Sequence, residues 1–193
     1  SHYFTDHSEI SKNRRDIPFR FLDFDYKVLS DDGVFSKDGL DIGTESLLKV
    51  VVKEDLKGKV ADLGCGIGVI GVILSRYFDI EITGFDINSR SVDLANINFE
   101  RYDVKGKNNR ADGLVGAFDA VISNPPIRVG KEKLYELFDN VYDHLNTNGT
   151  FVFVIRKSHG AASAQKKITS LFGNCTLLKK DKGFYIYKAV RLD

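Results

Sequence analysis

Val60-Ala61-Asp62-Leu63-Gly64-Cys65-Gly66-Ile67-Gly68-Val69-Ile70-Gly71 is the stretch whose reading decides the fold. Lys59–Leu63 is an apolar strand pattern, and Gly68–Phe78 is an apolar helix pattern. The glycines between them let the chain turn sharply and approach a ligand, with the helix N-terminus aimed at it. The same alternation continues downstream. Strands are expected at Ile80–Phe85, Phe118–Ser123 and Thr150–Ile155, and helices at Ser89–Arg101, Glu132–Leu145 and Gly160–Phe172. Cys175–Leu178 and Phe184–Val190 flank Lys179–Gly183 as a closing antiparallel hairpin. Alternation of this kind predicts an α/β, doubly wound, Rossmann-like sheet of seven mostly parallel strands with an antiparallel C-terminal hairpin strand. One strand of the set, between Arg101 and Phe118, falls in a polar segment. It is either short and at the sheet edge, or residues are missing there.

Upstream, residues 1–18 read as a polar arm. Phe19–Val28 and Gly33–Phe35 read as strands of an N-terminal β-hairpin extension turning at Ser30-Asp31-Asp32-Gly33. Thr44 is the expected N-cap of a helix running to about Lys53.

With 193 residues the chain is long enough for one full core. Its 42% hydrophobic and 28% charged content is that of an ordinary globular protein. A net charge of +1 means that any nucleic-acid surface has to be local. No apolar run reaches membrane-spanning length, no signal-peptide pattern opens the chain, and Cys65 and Cys175 lack metal-ligand spacing. A thiol inside the glycine turn suits a reducing, cytoplasmic setting.

The second informative stretch is Ser123-Asn124-Pro125-Pro126-Ile127, at the end of an apolar strand. Two prolines fix the backbone and remove two donors, so the strand stops and a rigid rim follows. The Asn124 side-chain oxygen and the Pro125 carbonyl are then two adjacent acceptors, suited to the two hydrogens of a planar amino group. On the cofactor side the signal is double. Gly66–Gly71 satisfies the dinucleotide pattern, and Asp86 suits a ribose diol in either reading. Asp62 favours a cationic sulfonium amino acid over a pyrophosphate, which its carboxylate would repel.

These residues resemble the class I S-adenosylmethionine-dependent methyltransferases. More narrowly, the chain is similar to the methyltransferase small domain group, which includes the small-subunit rRNA (guanine-N2) methyltransferases. Gly33–Thr44, Asp62–Gly68, Phe85–Asn88 and Ser123–Ile127 carry the likeness. The resemblance implies an arm and hairpin over 1–44 packed on a methyltransferase domain over 45–193. It implies that Asp62, Gly64, Gly66 and Gly68 hold the methionine part of S-adenosyl-L-methionine, that Asp86 takes the ribose and that Asp112 faces the adenine amino group. Asp41, Gly43 and Thr44 close the pocket in this reading. Asn124 and Pro125 are the catalytic pair, and Pro126, Ile127 and Arg128 receive the base. Many members carry an aromatic residue where this chain has Ile127, so Phe35 is the substitute stacking candidate, against the plainer reading of a core residue.

The expected reaction is methylation of an exocyclic base nitrogen, guanine N2 in rRNA, with RNA or a ribosomal subunit as partner and neither metal nor membrane involved. The alternatives are a protein-glutamine N-methyltransferase, and a cofactor-binding but catalytically silent RNA-binding domain. An NAD enzyme ranks below both, since nothing downstream offers a hydride-transfer site.

Overall fold

The computed structural model describes residues 13–31 and 39–193. Strands β1 (Arg15–Phe21) and β2 (Phe24–Ser30) pair antiparallel as a separate hairpin. After them come helix α1 (Ile42–Val51), strand β3 (Gly58–Leu63), helix α2 (Val69–Tyr77), strand β4 (Ile80–Asp86) and helix α3 (Ser89–Arg101). Strands β5 (Gly106–Arg110) and β6 (Phe118–Ser123) lead to helix α4 (Lys131–His144) and strand β7 (Leu145–Arg156). Helix α5 (Ala161–Phe172) and strands β8 (Thr176–Asp181) and β9 (Phe184–Val190) complete the chain.

The seven-stranded sheet has the order β5-β4-β3-β6-β7-β9-β8. All neighbours are parallel from β5 to β7, whereas β9 is antiparallel to both β7 and β8. Strand order reverses between β3 and β6. In open α/β sheets, ligands bind in the crevice outside the C-terminal ends of the strands at such a switch point. The glycine turn follows β3 and Asn-Pro-Pro follows β6, so this topology sets them on the two lips of one crevice.

Strands buried on both faces need apolar side chains at every position, and β7 shows this. Val152 and Val154 join a core shared with α1, α2, α3 and the hairpin, while Phe151, Phe153 and Ile155 join the core beneath α4 and α5. Both clusters are built from fully buried aliphatic and aromatic side chains, each stabilising by about 1.5–3 kcal/mol.

Two expectations change, and one open alternative is resolved. Phe19–Val28 is not one strand: the chain turns within it at Leu22-Asp23, so the hairpin is formed by β1 and β2. Leu22 takes φ 51 without the Gly or Asn that usually marks such a turn, so composition gave no sign of it. Gly33–Phe35 and the candidate Phe35 lie outside the described residues. Helix α1 is capped by Asp41, whose carboxylate accepts from Thr44 N at 3.0 Å, so Thr44 is displaced into the first turn. Both residues are good caps, and the earlier one took the place. The missing strand is β5, five residues long, pairing in parallel with β4 at the sheet edge. Its polar sequence reflects that single paired edge.

Asn98 ties the hairpin to the cofactor loop. It is fully buried on α3, its Oδ1 accepts from Leu29 N at 2.7 Å, and its Nδ2 donates to Leu29 O at 3.1 Å and Ile67 O at 2.9 Å. Truncation strands three backbone groups, at about 1–3 kcal/mol for the more buried ones. Asn98→Ala is expected to lower the melting temperature by about 5–10 °C at this chain length. A thermal melt moving by less than about 2 °C would show that the tie carries no stability.

Candidate active site

The glycine turn is built by backbone geometry that only glycine adopts at low cost. Gly64, Gly66 and Gly68 have φ of 80, 52 and 91. Gly64 N and Cys65 N donate to Phe85 O at 2.8 and 3.0 Å, holding the turn over the end of β4. Asp86 reinforces it, with Gly66 N donating to Oδ2 and Asn88 N to Oδ1, both at 2.9 Å. Gly68 then opens α2, packed so closely on Ala95 and Phe99 that a Cβ would lie 3.2 Å from each. A Cβ on Gly66 would meet nothing within 4 Å, so this is the side of the turn left open to a ligand.

Asp62 is buried on β3, and its Oδ1 has no hydrogen-bond partner. Burial, with a further push from the Asp86 charge, raises its carboxyl to about 8. A buried acidic oxygen without a donor calls for one. The ammonium end of an amino-acid ligand, or a water that it holds, supplies it. Ile87, directly after Asp86, is an exposed apolar side chain, as is Val115. These features fit S-adenosylmethionine. Asp112, expected near the adenine, sits exposed in the turn after β5, where Lys133 Nζ approaches at 2.8 Å.

Across the crevice, Ser123 Oγ donates to Leu63 O at 2.7 Å, which ties the end of β6 to the end of β3. A Cβ on Gly64 would lie 3.7 Å from both Asn124 O and Pro126 Cδ, so the proline rim faces the glycine turn across a gap of about one methyl group. The Asn124 amide is oriented. Its Nδ2 donates to Asp41 Oδ2 at 3.2 Å and to Thr44 Oγ1 at 3.0 Å. An ionised carboxylate only accepts, so the NH2 end must face Asp41 and the Oδ1 end must face away. Asp41 and Thr44, expected on the pocket wall, therefore also set the direction of the Asn124 acceptor. Gly43 between them is buried where a Cβ would lie 2.8 Å from Phe184 Cε1.

Asp41, Thr44, Gly64, Cys65, Gly66, Ile67 and Asn124 line one cavity of about 110 Å³. A larger hollow of about 630 Å³, lined by Tyr26, Arg76 and Tyr102, lies at the start of β4, on the opposite edge of the sheet. It is the wrong end for a ligand of this fold. Pro125 is buried, Pro126 is exposed and Arg128 is exposed in a 3-10 turn, Ile127–Val129. Ile127 packs against the core beneath α4. Among the described residues no group of His, Cys, Asp and Glu is placed to hold a metal, and no helix is long and apolar enough to cross a membrane. Sequence reasoning missed Asn98 and the partnership of Asp41 with Asn124. For Asn98 the signal was a polar residue on the apolar stripe of α3.

Fold and site together define a class I S-adenosylmethionine-dependent methyltransferase. Within that class the chain belongs to the methyltransferase small domain family, whose model matches residues 25–188. It is 33% identical over 198 residues to the uncharacterized protein YbxB of Bacillus subtilis (strain 168), covering 99% of this chain and 98% of that one. Over 199 residues it is 31% identical to ribosomal RNA large subunit methyltransferase G of Psychromonas ingrahamii, covering 96% of this chain and 51% of the relative. The T. thermophilus 16S rRNA N2 methyltransferase (RsmC), solved in complex with AdoMet and guanosine, shares the fold at TM-score 0.81 and 23% identity, over 92% of this chain and 50% of that one. The chain thus spans about half the length of the named RNA methyltransferases, and nearly all of YbxB.

Proposed function

We propose that the chain methylates an exocyclic amino nitrogen of an RNA base, with guanine N2 in rRNA as the acceptor. The observation that carries this is the fixed Asn124 amide, whose Nδ2 is engaged by Asp41 and Thr44 while the residue lines a cavity with the glycine turn. The rRNA assignment draws on the named relatives.

The bound cofactor supplies an electrophilic methyl on a cationic sulfonium. Asp62, the glycine turn and Asp86 would hold it, with Asp112 as the residue for its adenine. Asn124 Oδ1 and the Pro125 carbonyl each accept one hydrogen of the incoming amine. That pulls the nitrogen toward tetrahedral geometry and localises its lone pair, otherwise delocalised into the base. The uncharged amide does this without forming an ion pair with the sulfonium, as a carboxylate would. Positioning of this kind supplies much of the rate. A base inside a duplex cannot reach such a rim, so the acceptor is single-stranded, looped or flipped out. Arg128, exposed just beyond the rim, is our candidate for a phosphate near the acceptor.

The test is the partition of label. With methyl-labelled cofactor, purified rRNA, ribosomal subunits and a cell protein extract, label is expected in RNA. Label appearing in protein alone would move the acceptor to a glutamine amide.

A further inference from the structure

We propose that Arg156, stacked on Phe184, is the platform for the base that flanks the methylated nucleotide in a single RNA strand. This rests on the reading that the acceptor is RNA.

Ile127 presents no ring, and recognition of unpaired bases depends on π faces or guanidinium planes on which they stack. At the same end of the sheet the structure holds one. Arg156 ends β7 and pairs in register with Phe184, the first residue of β9. Its guanidinium carbon lies 4.3 Å from the Phe184 ring centroid. One face of the guanidinium is covered by the ring, and Arg156 is exposed, so the other face is open. None of the ion pairs among the described residues involves Arg156, Arg128, Lys157 or Lys182. A planar cation held flat by an aromatic ring, with its charge unmet, is what a stacked base beside a phosphate uses.

The stack adjoins the acceptor site. The position of a Cβ on Gly43 would lie 2.8 Å from Phe184 Cε1 and 3.2 Å from Asp41 Oδ2, and that same oxygen accepts from Asn124. The absence of a side chain at 43 is what lets the ring sit there. Lys157 N donates to Gly183 O at 2.8 Å, which fixes the turn just before Phe184. Register then gives the height. Ser123 pairs with Phe153, so Asn124 stands one residue beyond that level and Arg156 three. Two residues of strand are about 7 Å. The platform therefore lies farther out than the acceptor rim, at the level of a neighbouring base rather than of the reacting one. Lys157 and Lys182, both exposed beside it, are placed for the connecting phosphates.

The test uses the whole chain with Arg156→Ala, Arg156→Lys and, as a charge control on the hairpin, Arg20→Ala. Two readouts are taken: binding of a 12-nucleotide single-stranded RNA carrying one 2-aminopurine, and the kinetics of methyl transfer to purified rRNA. Both Arg156 variants are expected to bind about tenfold more weakly, as for loss of one stacked base, with the 2-aminopurine signal reduced. KM for rRNA should rise by a similar factor while kcat stays within about twofold, since the reacting amine is held elsewhere. Arg20→Ala should match the wild type. An Arg156→Lys protein that binds like the wild type would reduce the site to plain charge and overturn the platform. So would label entering RNA with an unchanged KM in Arg156→Ala. Label entering protein and not RNA would overturn the RNA reading itself, a result distinct from either.

Discussion

Asn124→Ala is expected to lower methyl transfer by about a thousandfold or more while cofactor affinity changes by less than about threefold, because the amide acts on the acceptor amine and not on the sulfonium ligand. The magnitude follows from losing a preorganised hydrogen-bonding group at the reacting atom, typically about 10²–10³ in rate, together with lost alignment. Single-turnover methylation and calorimetry with S-adenosylhomocysteine separate the two effects. Asp41→Asn makes the neighbouring claim sharper. An amide at 41 can donate as well as accept, so it no longer forces the Asn124 NH2 to face it. A fall in kcat of about tenfold, with cofactor affinity kept, is the expected outcome for a residue that acts through Asn124. An Asn124→Ala enzyme with wild-type rate would end the proposed chemistry.

The second large effect is at Asp62. In the folded protein without ligand its carboxyl is raised to about 8 from 3.8 by burial and by Asp86. Between those values the folded chain keeps a proton that the unfolded chain gives up. The stability this group contributes is therefore fully present below 3.8 and is lost as pH rises through about 8. Asp62→Asn removes that dependence. The unliganded variant should be more stable than the wild type at pH 8, by a few kcal/mol on the scale of 1.36 kcal/mol per pH unit, and level with it near pH 4. Its affinity for S-adenosylhomocysteine should fall by about two hundredfold or more, the cost of removing the partner of a buried charge being about 3–5 kcal/mol. A cationic ligand favours the ionised carboxyl, so wild-type binding should tighten as pH rises toward about 8 and release a proton. Denaturant melts at the two pH values and calorimetry in buffers of different ionisation enthalpy check both. A variant that binds as tightly as the wild type would remove Asp62 from the cofactor site.

Much of the α/β sheet was legible because its signals are periodic. The apolar runs Ala120–Ile122 of β6 and Phe151–Ile155 of β7 read as strands buried on both faces, and helix α3 begins and ends where its amphipathic pattern does. The crevice was legible for the same reason, since strand ends carry Asp62, Asp86 and Asn124 in a fixed topology. What composition could not give was tertiary partnership. Nothing local says that the chain turns at Leu22, or that the cap of α1 would be the residue holding Asn124 from 83 positions away. The Arg156–Phe184 stack depends on β9 lying antiparallel beside β7, a pairing that strand patterns do not specify. Edge strand β5 was half seen, because a strand paired through one neighbour needs no apolar alternation to exist.

The most direct measurement is nucleoside mass spectrometry of rRNA after incubation with the protein and S-adenosylmethionine. The account predicts a single added methyl on the exocyclic nitrogen of guanosine, present with the wild type and missing with Asn124→Ala. A methyl on a ribose oxygen or on a ring carbon would contradict it, since neither atom carries the two hydrogens that the proposed Asn124–Pro125 acceptor pair requires.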